Sequence, residues 1–226
     1  SLAAMAVLLP RTNGKSAAPA ALRDEVRVLG RQQVWTSLIL MLMLMIGQFV
    51  PYTYIAPLLQ QVTGLDVGLV PWVLLLNGVG CTLGVFIGGK FSDARLMPAM
   101  IAFIALQVLV LIGMYFAAPY PLPMIAIIFI WGCVNFSIGT PIQTRILTWT
   151  ADAPNLASSL IPSGFNIGIA LAASLGAALL TAGVPYRSLP LFGVASMLIA
   201  VVVATSSYLA EKRSGATPPR TTNATA

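Results

Sequence analysis

Six stretches of this sequence run for about 20 to 28 residues each with hardly a charge in them. They cover residues 34–59, 69–89, 97–118, 124–147, 155–182 and 189–209. At about 1.5 Å per residue a helix of that length crosses the roughly 30 Å of a bilayer's hydrocarbon. Lipid offers no partner to the edge of an open strand, so helices are the form these stretches can take. The expected fold is an all-α membrane protein, a six-transmembrane-helix bundle. Composition agrees: 58% of residues are apolar and 8% charged, against about a quarter charged in a soluble domain.

The charges fall between the apolar runs and set an orientation. Alternating crossings place eleven basic residues on one side: Arg11, Lys15, Arg23, Arg27, Arg31, Lys90, Arg95, Arg145, Lys212, Arg213 and Arg220. The other side has only Arg187. Lysine and arginine favour the cytoplasmic side, so the 10–33 linker, the island 88–95 and the 210–226 tail are expected there, in a multi-pass protein of the plasma (inner) membrane. The net charge of +6 is spread along these segments, which argues against nucleic acid as a partner. Within the linker, Leu22, Val26 and Leu29 fall at helical spacing and suggest a short amphipathic helix on the membrane surface. Residues 1–9 are apolar but too short to cross, and read as the end of a truncated transmembrane helix. Residues 210–226 read as a disordered tail.

Chemistry is sparse. There is no histidine, which removes the commonest general base and metal ligand, so no metal, no cofactor and no enzyme activity is expected. Cys81 and Cys133 sit inside apolar runs and read as reduced packing residues. The polar groups inside the spans are mainly carboxamides. Gln48 and Tyr52 share a face of the first span, and Asn77 lies on a glycine face of the second. Asn135 and Gln143 lie on one side of the fourth, and Asn166 is in the fifth. Such groups can line a cavity for a neutral or amphipathic small molecule, or can bond helices together at about 0.6 kcal/mol each. No carboxylate falls at mid-span, so a proton-carrying acid would have to come from elsewhere.

A repeat is visible. Spans one and four open apolar and end with Gly, Pro and Gln; spans two and five carry small-residue faces (Gly80, Gly84, Gly88; Gly164, Gly168, Gly176); spans three and six are plain. Prolines 51 and 57 should bend the first span. Plain helices suit the outside of a bundle and polar ones the inside. Two inverted three-helix repeats with broken helices are how secondary transporters are built.

Three passages then carry a resemblance: Tyr52-Thr53-Tyr54-Ile55-Ala56-Pro57; Gly88-Gly89-Lys90-Phe91-Ser92-Asp93-Ala94-Arg95; and Pro141-Ile142-Gln143-Thr144-Arg145 with Asp152-Ala153-Pro154 and Phe165-Asn166-Ile167-Gly168. They resemble helices seven, the loop between eight and nine, and helices ten and eleven of a major facilitator superfamily transporter, closest to the drug/proton antiporters and sugar-efflux permeases. The resemblance implies the carboxy-terminal half of a twelve-helix efflux transporter working by proton antiport and alternating access. Its partner would be an amino-terminal six-helix half that supplies the proton-coupling residues. It also implies a cytoplasmic gate at the signature loop, with Gly89, Asp93, Arg95 and Arg145 as its residues and Asp93 latched to an arginine. The loop departs from the family in placing Ala94 between Asp93 and Arg95. The alternative reading is a non-transporting bundle or an inactive transporter remnant.

Overall fold

The computed structural model describes residues 27–92 and 96–214. A one-turn 3-10 helix, Val28–Gly30, leads into α1 (Gln32–Thr53), and α2 (Ile55–Gln61) continues it after a break. Then come α3 (Val70–Ser92), α4 (Leu96–Ala117), α5 (Pro121–Trp149), α6 (Pro154–Thr181) and α7 (Leu189–Ser214), with a second 3-10 turn, Tyr186–Ser188, before α7. Six of these helices are long and apolar enough to cross a membrane. The expected membrane segments at 1–9 and most of the amphipathic linker helix lie outside the described residues, as do Asp93 and Arg95.

The bend expected in the first span is a break. Pro51 and Pro57 each remove a backbone donor, and at Tyr54 the chain leaves helical geometry (φ −112°, ψ 20°). The ladder restarts with Leu58 N–H donating to the Tyr54 carbonyl at 3.1 Å. Tyr54 then uses its hydroxyl to reach the Ala173 carbonyl of α6 at 3.1 Å, which fixes the break against a neighbour.

Packing makes the repeat physical. α1 packs on α6 and α7, α5 packs on α3 and α4, and α4 packs on α7; within each triplet the helices hardly touch. Exchanging α1 with α5, α3 with α6 and α4 with α7 reproduces the same pattern of neighbours. The two triplets are therefore interleaved, and neither has a core without the other.

The small-residue faces create the closest approaches. A methyl group at Gly80 would meet the Phe129 carbonyl at 2.5 Å, one at Gly88 the Ser137 carbonyl at 2.6 Å, and one at Gly84 would overlap the Cys133 carbonyl. The α3–α5 seam is thus backbone on backbone, and Ser137 completes it by donating to the Gly84 carbonyl at 3.0 Å. On the other side, Gly164 and Gly168 receive Met41 and Met45 of α1, and Gly176 receives the Tyr54 ring.

Within these six helices the plain α4 and α7 pack on each other, and α3 and α6 are the least buried, at 28% and 22%. The reason is that α3 and α6 spend their small faces on α5 and α1 and leave their bulky faces, with Trp72, Phe86 and Leu171, exposed. One expectation is corrected: the last helix does not end at residue 209. It runs to Ser214, because Glu211 has a buried partner to reach.

Adjacent glycines give a test of the seam. Gly88→Ala must push Ser137 aside and should lower stability by about 1–3 kcal/mol. Gly89→Ala, whose methyl meets nothing within 4 Å, should be neutral or stabilising by up to about 1 kcal/mol. Thermal unfolding of the two variants, followed by size-exclusion fluorescence, checks the difference.

Candidate functional site: a carboxamide-lined cavity above a buried arginine

Arg145 is 2% exposed, near the end of α5, among four helices. Burying a guanidinium is tolerable only when its donors are met and its charge is paired. Here Nε donates to Ser37 Oγ of α1 at 2.9 Å and Nη2 to Ser207 Oγ of α7 at 2.8 Å, while Nη1 faces Met97 Sδ of α4. The charge partner is Glu211 of α7, with Nη2–Oε1 at 2.6 Å and Nη1–Oε2 at 3.3 Å. One side chain therefore ties α1, α4, α5 and α7 together at the basic end of the bundle. Sequence reasoning offered Arg145 as a partner for Asp93; the acid placed on it is Glu211, which the tail's basic neighbours Lys212 and Arg213 disguised.

A second ion pair sits at the same end. Arg31, just before α1, makes two hydrogen bonds to Asp152 (Nη1–Oδ1 2.7 Å, Nη2–Oδ2 2.6 Å), and its Nη1 also donates to the Trp149 carbonyl at 2.9 Å. Val28, Val34, Trp149 and Ala153 form a small apolar cluster beside it. The end of the linker is thus clasped to the α5–α6 corner. Hydrogen bonding from Arg31 holds the Asp152 carboxyl below its usual range against an opposing desolvation effect, and the pair raises Arg31 in turn.

Between α1, α5 and α6 lies a cavity of about 580 Å³, within the size range of drug-sized ligand sites. A smaller one of about 300 Å³ adjoins it toward the other end of the bundle, between α1, α3 and α5. Gln48, Phe49, Asn135 and Phe136 line both. Gln143 lines the larger, with Phe165 and Ile169 of α6; Tyr52 and Asn77 line the smaller. Five of the six carboxamide and phenol candidates are therefore brought together. Asn166 is not: it lies exposed on α6, outside the lining of both, because its neighbour Phe165 takes the inward position.

The five differ in how they are used. Asn77 is a bond between helices, its Nδ2 donating to the Ile128 carbonyl at 2.8 Å and its Oδ1 accepting from the Cys81 thiol. Gln48 is 2% exposed, yet its amide has no hydrogen-bond partner among the described residues, and neither have Asn135 and Gln143. All three line the larger cavity, Gln48 buried, Asn135 half-buried and Gln143 exposed. Tyr52 lies between Phe49, which it meets edge-on, and Trp131, which it meets at a tilt, with ring centroids 5.6 Å apart on each side. Trp131 itself is 1% exposed and lines neither cavity. Gly89 of the signature stretch has open space at its Cα, whereas Gly88 is the packing glycine. The signals that sequence reasoning missed are Ser37, Ser207 and Glu211 around Arg145, and the phenylalanines that furnish the cavity. Among the described residues no group of three or more His, Cys, Asp or Glu could hold a metal.

The model of the Major Facilitator Superfamily matches residues 1–153. The chain belongs to that superfamily. Among similar proteins, the inner membrane transport protein YdhP of Escherichia coli (strain K12) is 31% identical over 193 residues, covering 85% of this chain and 49% of that protein. The uncharacterized MFS-type transporter YtbD of Bacillus subtilis (strain 168) is 29% identical over 196 residues, with 85% and 49% covered. The chloramphenicol resistance protein of Streptomyces lividans is 29% identical over 175 residues, covering 74% of this chain and 44% of that protein. The chain thus spans about half the length of the curated relatives it matches.

Two outcomes follow. Removing one member of a buried ion pair leaves the other uncompensated, so Glu211→Ala and Arg145→Ala should each cost about 3–5 kcal/mol, read as a fall in melting temperature, with the double variant much less than additive. The Arg31–Asp152 clasp has the opposite pH signature to a histidine switch. A depressed carboxyl stabilises above its ordinary value of 3.8 and loses that contribution only as pH falls through its lower folded value. Hydrogen exchange of the amides of residues 28–34, corrected for intrinsic rate, should therefore report the same clasp from about pH 5 to pH 8, and Asp152→Asn should loosen it equally across that window.

Proposed function

We propose that this bundle is the carboxy-terminal half of a secondary active transporter that exports small neutral or amphipathic molecules by proton antiport and alternating access. On this reading the basic end faces the cytoplasm of an inner membrane, and an amino-terminal half closes the other side of the cavity. The observation that carries it is the set Gln48, Asn135 and Gln143, three carboxamides on a cavity of about 580 Å³ with no protein partner among the described residues. Asn77, by contrast, spends its amide on a bond to the neighbouring helix. Membership of the superfamily and the transporters among the relatives support the class; the name of the Streptomyces lividans relative makes chloramphenicol, an uncharged molecule, the first compound to try. Among the described residues no carboxylate lines either cavity, so the proton carrier is assigned to the other half. The latch at Asp93 remains part of the proposal.

The test is transport by the complete gene product in drug-sensitive cells. Gln48→Leu removes one directed hydrogen bond and should weaken apparent substrate affinity about two- to tenfold while leaving the amount of folded protein in the membrane unchanged. Unaltered transport of every compound the unsubstituted protein exports would overturn the assignment.

A further inference from the structure

The three unpartnered carboxamides are not spread evenly round the cavity. Gln48 and Asn135 sit together at the neck shared by the larger and smaller cavities, whereas Gln143 lies two helical turns further along α5 toward the basic end. Eight residues at about 1.5 Å each separate Asn135 from Gln143 by about 12 Å along the helix. The wall between them is mainly apolar, with Leu44 and Met45 of α1, Ile138 and Ile142 of α5, and Phe165 and Ile169 of α6; the hydroxyl of Thr140 is the polar exception on α5. Glycine and threonine at 139 and 140 leave that stretch of α5 slim.

Resting on the transport reading above, we infer that the cavity binds a two-ended molecule: an uncharged, elongated amphiphile with a hydrogen-bonding group at each end of an apolar body about 12 Å long. The inner pole is Gln48 with Asn135, each able both to donate and to accept, so it takes a carbonyl, amide or hydroxyl alike. The outer pole is Gln143, which is exposed and meets the ligand from the basic end. An apolar body alone fills the belt but leaves the Gln48 amide buried and unmet, which costs free energy that a hydrogen-bonding end recovers. A full charge at either end would find no counter-ion on this wall, since no described Asp, Glu, Lys or Arg lines either cavity. Specificity on this side of the transporter is therefore a matter of length and of the two polar ends.

The experiment measures binding to the purified complete gene product, by ligand-induced shift in melting temperature, of rod-like dicarboxamides with apolar spacers of graded length and their one-ended counterparts. The two-ended compound of about 12 Å spacing should bind about three- to tenfold more tightly than its one-ended analogue, and the advantage should fall away for shorter and longer spacers. Gln143→Leu, at an exposed position and so without effect on folding, should abolish that advantage and leave one-ended binding intact; Gln48→Leu should weaken both. Affinity that rises only with apolar area, indifferent to the second amide, would overturn the two-pole assignment while leaving the cavity as the transport route. If no compound of either kind binds, and neither substitution alters transport of the protein's own substrates, the cavity reading falls as well.

Discussion

Gly84 of α3 lies so close to the Cys133 carbonyl of α5 that a single methyl group has no room. In lipid there is no hydrophobic force to press one apolar helix on another; close van der Waals approach and bonds between helices must do it. The α3–α5 seam supplies both, through three glycines and the Ser137 hydroxyl. Once α3 is seated on α5 by backbone, its large side chains are turned away, and the space between α1, α5 and α6 is left for the cavity. The counterpart seam, α6 on α1, is made differently. There the glycines receive methionine side chains, which adapt to shifts that a carbonyl does not tolerate. Of the two flanking helices, α6 is the one that carries Phe165 and Ile169 into the cavity wall.

Polar groups in this bundle divide by what they touch. Arg145 and Asn77 are satisfied by neighbours and hold helices in place. Arg187, at the opposite end, caps α4 by donating to the Tyr115 carbonyl and lying over its ring at 4.6 Å. Gln107 of α4 and Trp131 of α5 are the outliers among the described residues: both are buried, and neither the Gln107 amide nor the Trp131 indole N–H has a partner. Gln48, Asn135 and Gln143 meet the cavity instead, and that distinction separates function from glue more sharply than residue type does.

Much of this was legible in the residues. Six helices, their approximate bounds, the paired triplets and the bend before Pro57 follow from apolar run length, proline chemistry and small-residue spacing. Five cavity residues followed from helical periodicity around Gln48, Asn77 and Asn135. What was hidden depends on contacts between distant segments. Glu211 looked like tail because two basic residues follow it; only Arg145, 66 positions away, gives the helix reason to continue. Asp152 fell in a short polar connection, and its partner Arg31 lies 121 positions earlier. Asn166 failed for a local reason, since one step along a helix turns a side chain by about 100°, and Phe165 took the inward place.

The central claim is that the space beside Gln48 is where substrate sits. Cys81 lines the smaller cavity beside Asn77 and offers a native probe. The rate of maleimide labelling at Cys81, located by mass spectrometry in the complete gene product with Cys133 replaced by alanine, is the direct measurement. The account predicts that saturating substrate slows labelling severalfold while labelling at exposed thiols is unchanged. An identical rate with and without substrate, in protein shown to be transporting it, would contradict the account.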